Sequence, residues 1–337
     1  MASEVGVTNP PTTAVHATGE PTIDQRVSVV IPCHASERWP YLVEAVASVQ
    51  AQTPRPVAIV VAVDNNPALF DRAKRELRDV TVVANTFARG AAGTRNTGVM
   101  HTTTPFVALL DDDARARPGW LAALIEPFED PKVVGTGGRV CANWEGGRPN
   151  WFPRELLWAV GVSHQRMATS RVTLTRNVWA LSMAVRRNVF EEVDGFQENF
   201  TKIGRRSKPE DTDLCLRMAH VSGGAWAYVT DAVVDHHVPH QRATLGYVLV
   251  RSYEEGRGKV GVARRQGGFA DLDLERQYLI AIAPRAVLVG ILDTLRGHGL
   301  GGLARAGVMV CCVAAAGIGA LVEALHPAAR PAHGGDA

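Results

Sequence analysis

The sequence predicts an α/β protein, with a mostly parallel sheet flanked by helices and an apolar helical region at its C-terminal end. Three observations predict it. Short runs of Val, Ile and Ala alternate with helical patterns over residues 26–125. Those runs are apolar at consecutive positions, as strands covered on both faces must be. From 278 to 325 almost every residue is Ala, Val, Leu, Ile or Gly.

"RVSVVIP" (26–32) is a β-branched run that predicts a buried strand. "WPYLVEAVASVQAQ" follows with Leu42, Val46 and Val49 at helical spacing, and "TPRP" closes it. "VAIVVAVD" (57–64) predicts a second strand ending on Asp64, "ALFDRAKRELRD" a charged helix, and "VTVVA" (80–84) a third strand. "GAAGTRNTGVMHT" opens with glycines and predicts a helix; "PFVALL" (105–110) predicts a fourth strand, and "PGWLAALIEPF" a helix with Pro118 in its first turn. "VVGTGGRV" predicts a strand, "NWEGGRPNWFP" a loop, "VWALSMAVRRNVFEEVDGF" a strand passing into a short helix, "SKPEDTDLCLRMAHVSG" a helix and "AWAYVTDAVVDHHV" strands. Strand alternating with helix means a covered parallel sheet, and such sheets bind ligands beyond the carboxyl ends of their strands. Asp64 and the triplet Asp111, Asp112 and Asp113 both stand at such ends.

The chain has 337 residues, 46% hydrophobic and 21% charged, which suits a globular protein with a sizeable core. A net charge of +2 is too small for a general nucleic-acid binder, and no nucleic-acid partner is expected. The five cysteines form no CxxC pair, which argues against a zinc site or a disulfide framework and fits a reducing compartment. The expected organisation is an unstructured arm (1–24), a sheet domain (25–245), a basic helical segment (246–277), an apolar helical hairpin (278–325) and a tail (326–337). The uncharged run Ala306 to Val322 is 17 residues long, at the short edge of a membrane span. It fits a buried helical pair and a hairpin against a bilayer equally well.

Three clusters carry chemistry. Adjacent like charges repel, so the triplet needs a neutraliser, and Mg²⁺ or Mn²⁺ shared with a diphosphate is the natural one. On that reading Asp113 is the direct ligand and Asp111 or Asp112 lies nearer the ribose. In "PEDTDLCLR", Glu210, Asp211 and Asp213 suit the N-terminal end of a helix dipole, and equally a general base. In "DAVVDHHVPH", His236 and His237 point to opposite faces of a strand, so one of them can face the site as a metal ligand. Arg95 in "GAAGTRNTG" suits either a diphosphate or a carboxylate of the cluster.

Taken in order, "VSVVIP", the Asp64 strand end, "GAAGTRNTG", "LLDDDA", "MAVRRNVFEEVDGF", "EDTDLCLR" and the "HH" strand resemble a family 2 glycosyltransferase with the GT-A fold. The resemblance covers residues 26 to about 240 and implies a nucleotide-sugar donor, usually UDP-linked, a Mn²⁺ or Mg²⁺ ion and inversion at the anomeric carbon. It implies that Pro32 and Asp64 line the nucleoside pocket and that Arg95 lies near the donor or the acidic cluster. Asp111 and Asp113 would form the DXD motif, with Asp112 on the donor side and Asp113 on the metal. Asp211 would be the base, Glu210 its acidic neighbour, and His236 a further metal ligand. Two departures stand out: Cys33–Glu37 replaces the family's usual Thr and Asn, and Ser182 stands where Asn often precedes the Met.

The block "VPHQRATLGYVLVRSYEEGRGKVG" is similar to a subgroup, the polyprenyl- and dolichyl-phosphate-sugar glucuronosyltransferases, acting on lipid-linked or cell-envelope acceptors. From His236 to Ala270 there are six Lys/Arg (Arg242, Arg251, Arg257, Lys259, Arg264, Arg265) against Glu254 and Glu255, which suits a lipid phosphate or a membrane surface. The cytoplasmic face of the cell membrane is the expected location. A sugar nucleotidyltransferase would use a similar sheet and metal, but "PCHASERW" lacks its Gly-rich basic loop. A non-catalytic sugar-nucleotide binder would be expected to lose one of the acids present here.

Overall fold

The computed structural model describes residues 27–163, 170–198, 209–265, 273–297 and 299–326. The expected arm at 1–24 and the tail beyond 326 lie outside the described residues.

Four parallel strands lead: β1 (Val27–Cys33), β2 (Ala58–Val63), β3 (Thr81–Ala84) and β4 (Phe106–Leu110). They alternate with α1 (Trp39–Gln50), α2 (Pro67–Glu76) and α3 (Ala91–Met100). Local chemistry sets the ends. Asn66 caps α2 by accepting from the Leu69 amide at 3.0 Å, and Pro67 fills the first turn, where no amide partner is needed. The apolar runs are buried on both faces, as consecutive patterning requires. Val29 and Ile31 pack with Leu42, Val46 and Trp120, while Val30 packs on the other side with Val99 and Leu214.

After β4 come β5 (Ala114–Ala116), α4 (Trp120–Ile125), β6 (Val133–Trp144), β7 (Val172–Thr175), β8 (Ser182–Arg186), α5 (Arg187–Glu192), α6 (Glu210–Ser222) and β9 (Ala225–Val238). The sheet order is β3-β2-β1-β4-β8-β6-β9-β5, with β7 also on β9. β4 pairs antiparallel with β8, and β6 parallel with β9. The chain order reverses between β1 and β4, which opens a crevice beyond their carboxyl ends. Pro32 sits at this opening. Pairing with β4 stops at Val30↔Leu109, so the proline's missing amide falls where the ladder has already ended.

Three local expectations change. α4 starts at Trp120, not at Pro118, because Gly119 adopts φ 81 and breaks the turn before it. The expected 143–153 loop loses Asn143 and Trp144 to β6, whose pairing with β9 runs to Trp144↔Val238. The last strand region is one 14-residue strand rather than several.

The C-terminal helices are α7 (Leu245–Arg265), α8 (Asp273–Gln277), α9 (Ala283–Leu295) and α10 (Gly301–Leu325), with a π-helical turn at Tyr278–Ile282. They pack on the 3-10 helix Arg154–Val160 through Phe152, Leu156, Val160, Val248, Met309 and Cys312. α7 and α10 touch backbone to backbone. A Cβ on Gly256 would stand 1.9 Å from the Ala316 carbonyl oxygen, and one on Gly319 2.0 Å from that of Tyr253. Both contacts require glycine. Glu275–Leu295 and Gly301–Leu325 are each long and apolar enough to cross a membrane, by length and composition, and only 11% and 22% of their apolar windows is buried. A soluble core helix would be mostly buried, so these two expose their apolar faces.

Candidate active site

β4 delivers the acidic triplet to the crevice, and β5 turns the chain back along β9. That antiparallel register sets Ala114 opposite His236, and the His237 amide donates to the Asp113 carbonyl at 2.8 Å. His236 is therefore held beside Asp113, with Nε2 3.5 Å from Oδ1. The two histidines do take opposite faces. His236 is buried toward the triplet, while His237 stacks on Tyr41 at 4.1 Å. His237 and Tyr41, with Asp113, Asn143 and Asp235, bound a cleft of about 330 Å³.

Within the protein, arginines offset the repulsion among the three carboxylates. Arg38, from the connection after β1, donates to Asp112 at 2.7 Å and lies 3.2 Å from Asp113. Arg242, just past β9, lies 3.6 Å from Asp113 and 3.2 Å from His236 Nε2. Arg95, on α3, donates to Asp111 at 2.9 Å and to Glu210 at 2.6 Å. The sequence singled out Arg95 and left its partner open; the structure pairs it with carboxylates. Arg38 and Arg242 were missed as site residues. The available signal was position: Arg38 lies in the loop at the strand-order reversal, and Arg242 follows the histidine strand by four residues.

Arg95 is the tie between the two acidic clusters. It is buried, and its neighbour Asn96 clamps the chain after α5 by donating to the Phe196 carbonyl at 2.8 Å and accepting its amide at 2.9 Å. Burial opposes the Arg95 charge, but Asp111, Glu210 and Asp211 outweigh it and raise its pKa. Removing one partner from such a network strands a buried charge.

The carboxyls separate by environment. Burial pushes Asp211 up to about 7; Arg95 and a backbone hydrogen bond from Ala180 pull against it, and Glu210 adds to it. Its Oδ1 is buried without a hydrogen-bond partner among the described residues. Asp112 is also raised to about 7, first by burial, with Arg38 opposing and Asp113 contributing. Asp113 goes the other way: burial works against its charge, but His236, Arg38 and Arg242 hold it well below the usual carboxylate range.

The other expected residues lie at the same end of the sheet. Asp64 accepts from the Gly90 amide at 3.0 Å and from Asn85 at 2.9 Å, so it fixes the loop leading into α3. Pro32 is buried at the end of β1. Next to it the Cys33 thiol is pushed up by burial, with Asp112 and Asp64 both close enough to add to the effect. Ser182, at the departure from the family pattern, accepts the Trp120 indole N–H at 2.9 Å inside the core.

Among the described residues no three His, Cys, Asp or Glu side chains converge as a ready metal cage. Mg²⁺ and Mn²⁺ do not need one, because they keep waters and bind through one or two protein ligands plus substrate phosphates. The ionised Asp113 carboxylate beside an imidazole, with Oδ2 of Asp112 adjacent and without a hydrogen-bond partner among the described residues, fits such an ion.

Comparison with known proteins adds four findings. The Glycosyl transferase family 2 model matches residues 28–194. A glucosyl-dolichyl phosphate glucuronosyltransferase of Haloferax volcanii is 32% identical over 239 residues, which span 69% of this chain and 76% of that one. A pre-mycofactocin glycosyltransferase of Mycobacterium tuberculosis is 27% identical over 226 residues; this match spans 67% of this chain and 44% of that longer protein. A mannosyltransferase from Pyrobaculum calidifontis, solved in complex with GDP-Man and Mn²⁺, shares the fold at TM-score 0.57 and 17% identity, over 90% of this chain and 88% of that one.

Proposed function

The chain belongs to the family 2 glycosyltransferases and uses a sugar-nucleotide donor, and from that premise we propose that it transfers a sugar, with inversion, from a UDP-linked donor to a hydroxyl of a lipid-linked or cell-envelope glycan. One observation carries the proposal: Arg95 bridges Asp111 and Glu210, so the acidic strand end and the candidate base share one site.

Asp211 acts as the base. A carboxyl raised to about 7 is half ionised at neutral pH and is matched to taking a proton from a hydroxyl. It draws the proton from the acceptor, and the acceptor oxygen attacks the anomeric carbon opposite the departing diphosphate. The Ala180 backbone hydrogen bond holds Asp211, and Arg95 and Glu210 act on its charge in opposite directions. Asp64 and Pro32 line the nucleoside end, with Asp111 and Asp112 on the donor side. Asp113 and His236 are the residues that would hold Mn²⁺ or Mg²⁺. Such an ion, when bound, offsets the charge on the leaving diphosphate.

The resemblance to a relative named for a dolichyl phosphate substrate supports the lipid-linked acceptor. The exposed apolar faces of α9 and α10 support contact with a membrane, at its cytoplasmic face on this reading.

A thermal-shift screen of UDP- and GDP-linked sugars with Mn²⁺ and Mg²⁺ tests the donor and the ion together, because ligand bound to the native state raises Tm. The largest shift is expected from a UDP-sugar with a divalent ion, and it should vanish in Asp113→Ala. A GDP-sugar giving the larger shift would overturn the UDP assignment, and an undiminished shift in Asp113→Ala would overturn the metal assignment.

A further inference from the structure

A second cleft, of about 410 Å³, lies between β6, the 3-10 helix Arg154–Val160 and α9. Its wall carries four arginines, Arg139, Arg148, Arg154 and Arg285, against the single acid Glu155. None of the four makes an ion pair or a side-chain hydrogen bond among the described residues. The charge is crowded: burial, then Arg154 and Arg305, press on the charge of Arg148, with Glu155 opposing them.

The basic residues of α7 contrast with these. Arg257 is bonded to Glu323 at 2.8 Å, and Lys259 to Glu275 at 2.9 Å and Glu255 at 3.1 Å. Arg264 donates to the Ala324 carbonyl at 2.7 Å. These three cations are already occupied in joining helices, whereas the four guanidinium groups of the cleft have no acidic partner among the described residues.

The rest of the lining names the kind of anion. Ile282 and Val289, from the helical run that enters and forms α9, give the cleft an apolar side. Beyond it the exposed apolar surface continues along Leu288, Ile291 and Leu295 and onto Leu303 of α10. At its other end the cleft meets the candidate active site. Ala142 lines both clefts and pairs with His236, and a Cβ on Gly161 would stand 3.0 Å from the His236 ring.

We propose that this cleft binds the phosphate of a lipid-linked acceptor, with the guanidinium groups of Arg139, Arg148, Arg154 and Arg285 on the phosphate and the hydrocarbon chain running out along α9. Planar guanidinium forks suit phosphate oxygens, and an apolar wall open to a bilayer suits the chain. The inference rests on the glycosyltransferase reading above and adds to it where the acceptor sits.

The test uses the full chain and phosphatidylcholine vesicles of three kinds: plain, doped with a polyprenyl monophosphate, or doped with phosphatidylglycerol to equal charge. Wild type should bind the polyprenyl-phosphate vesicles about tenfold tighter than the phosphatidylglycerol ones, the equivalent of one extra charge-assisted contact or more. The double variant Arg148→Gln/Arg285→Gln should lose that preference, while Arg75→Gln, an exposed change on α2, should keep it. Inorganic phosphate at matching concentration should not release the protein. Equal binding to both anionic vesicles, a preference surviving in the double variant, or release by inorganic phosphate would each overturn the proposal. Tm and the donor-induced shift, read on the same samples, show whether each variant is folded. If wild type shows the donor shift but no lipid preference, the cleft assignment alone fails. If no nucleotide sugar shifts Tm, the donor reading fails independently.

Discussion

The two clefts share Ala142 but treat charge in opposite ways. At the strand ends Arg38, Arg95 and Arg242 each face a carboxylate: Arg38 with Asp112, Arg95 with Asp111 and Glu210, Arg242 with Asp113. Beside α9 four arginines share a wall with the one acid Glu155, and Arg154 and Arg305 press on the charge of Arg148. Buried charges must be paired, so the first site is built and held by its own ion pairs before any ligand arrives. The second is open to solvent, which tolerates unpaired cations until an anion displaces the water. On the proposed reading the difference matches the ligands. A nucleotide diphosphate that arrives with a divalent cation needs little net positive charge, whereas a lone lipid phosphate needs a good deal.

The matched site should fail hardest when its pairing is cut. Asp211→Asn should lower transfer by about 10²–10⁴-fold, the usual range for a lost general base, and leave donor binding intact. Turnover within a few-fold of wild type would move the base to another residue. In wild type the same rate should rise with pH and level off above about 7, where Asp211 is ionised. Arg95→Met strands Asp111 and takes from Glu210 its partner at 2.6 Å, and should cost about 3 kcal/mol in urea unfolding. A loss under about 1 kcal/mol would mean that the two acidic clusters do not depend on their bridge.

A smaller effect separates function from stability at Asp211. Folded, the group keeps its proton up to about pH 7, against an ordinary value of 3.8. Between those values the native state holds more protons than the unfolded chain, so stability falls as pH rises through the window. Asn removes this penalty. The variant should therefore melt a few degrees above wild type at pH 8, with the gain vanishing below about pH 4, where both states are protonated. A variant that melts lower at both pH values would contradict the raised pKa.

Much of the matched site was legible in the sequence because strand ends are legible. Consecutive apolar runs located β1 to β4, and the acids after β2 and β4 then had to share one edge of the sheet. From the residues alone His236 was one of two on opposite faces, and only the family resemblance singled it out; β5, three residues long and unread, supplies the register that sets it beside Asp113. Arg38 and Arg242 were not legible as partners, since a cation in a loop carries no periodicity and its distance to Asp113 depends on how the sheet curls. The second cleft was hidden more thoroughly. Arg139, Arg148 and Arg154 are separated from Arg285 by more than a hundred residues, and only the docking of α9 on the 3-10 helix brings them together. The charge that local composition did advertise, on α7, is spent on intramolecular bonds.

The unmatched cleft should respond with the opposite sign. Among the described residues Arg148 has no ion pair to lose, and Arg154 and Arg305 press on its charge, so Arg148→Gln removes a repulsion. The group is exposed and water screens most of that repulsion, which limits the gain to a few tenths of a kcal/mol. Salt magnifies the contrast into something measurable. Raising ionic strength screens the repulsion in wild type but has nothing to screen at position 148 in the variant, so the two unfolding midpoints should converge as salt is added. At the Arg95 network, which is buried and poorly screened, the gap between wild type and Arg95→Met should persist through the same titration. If Arg148→Gln instead destabilises the fold at low salt, its guanidinium has a partner within the protein, and the cleft is matched like the first.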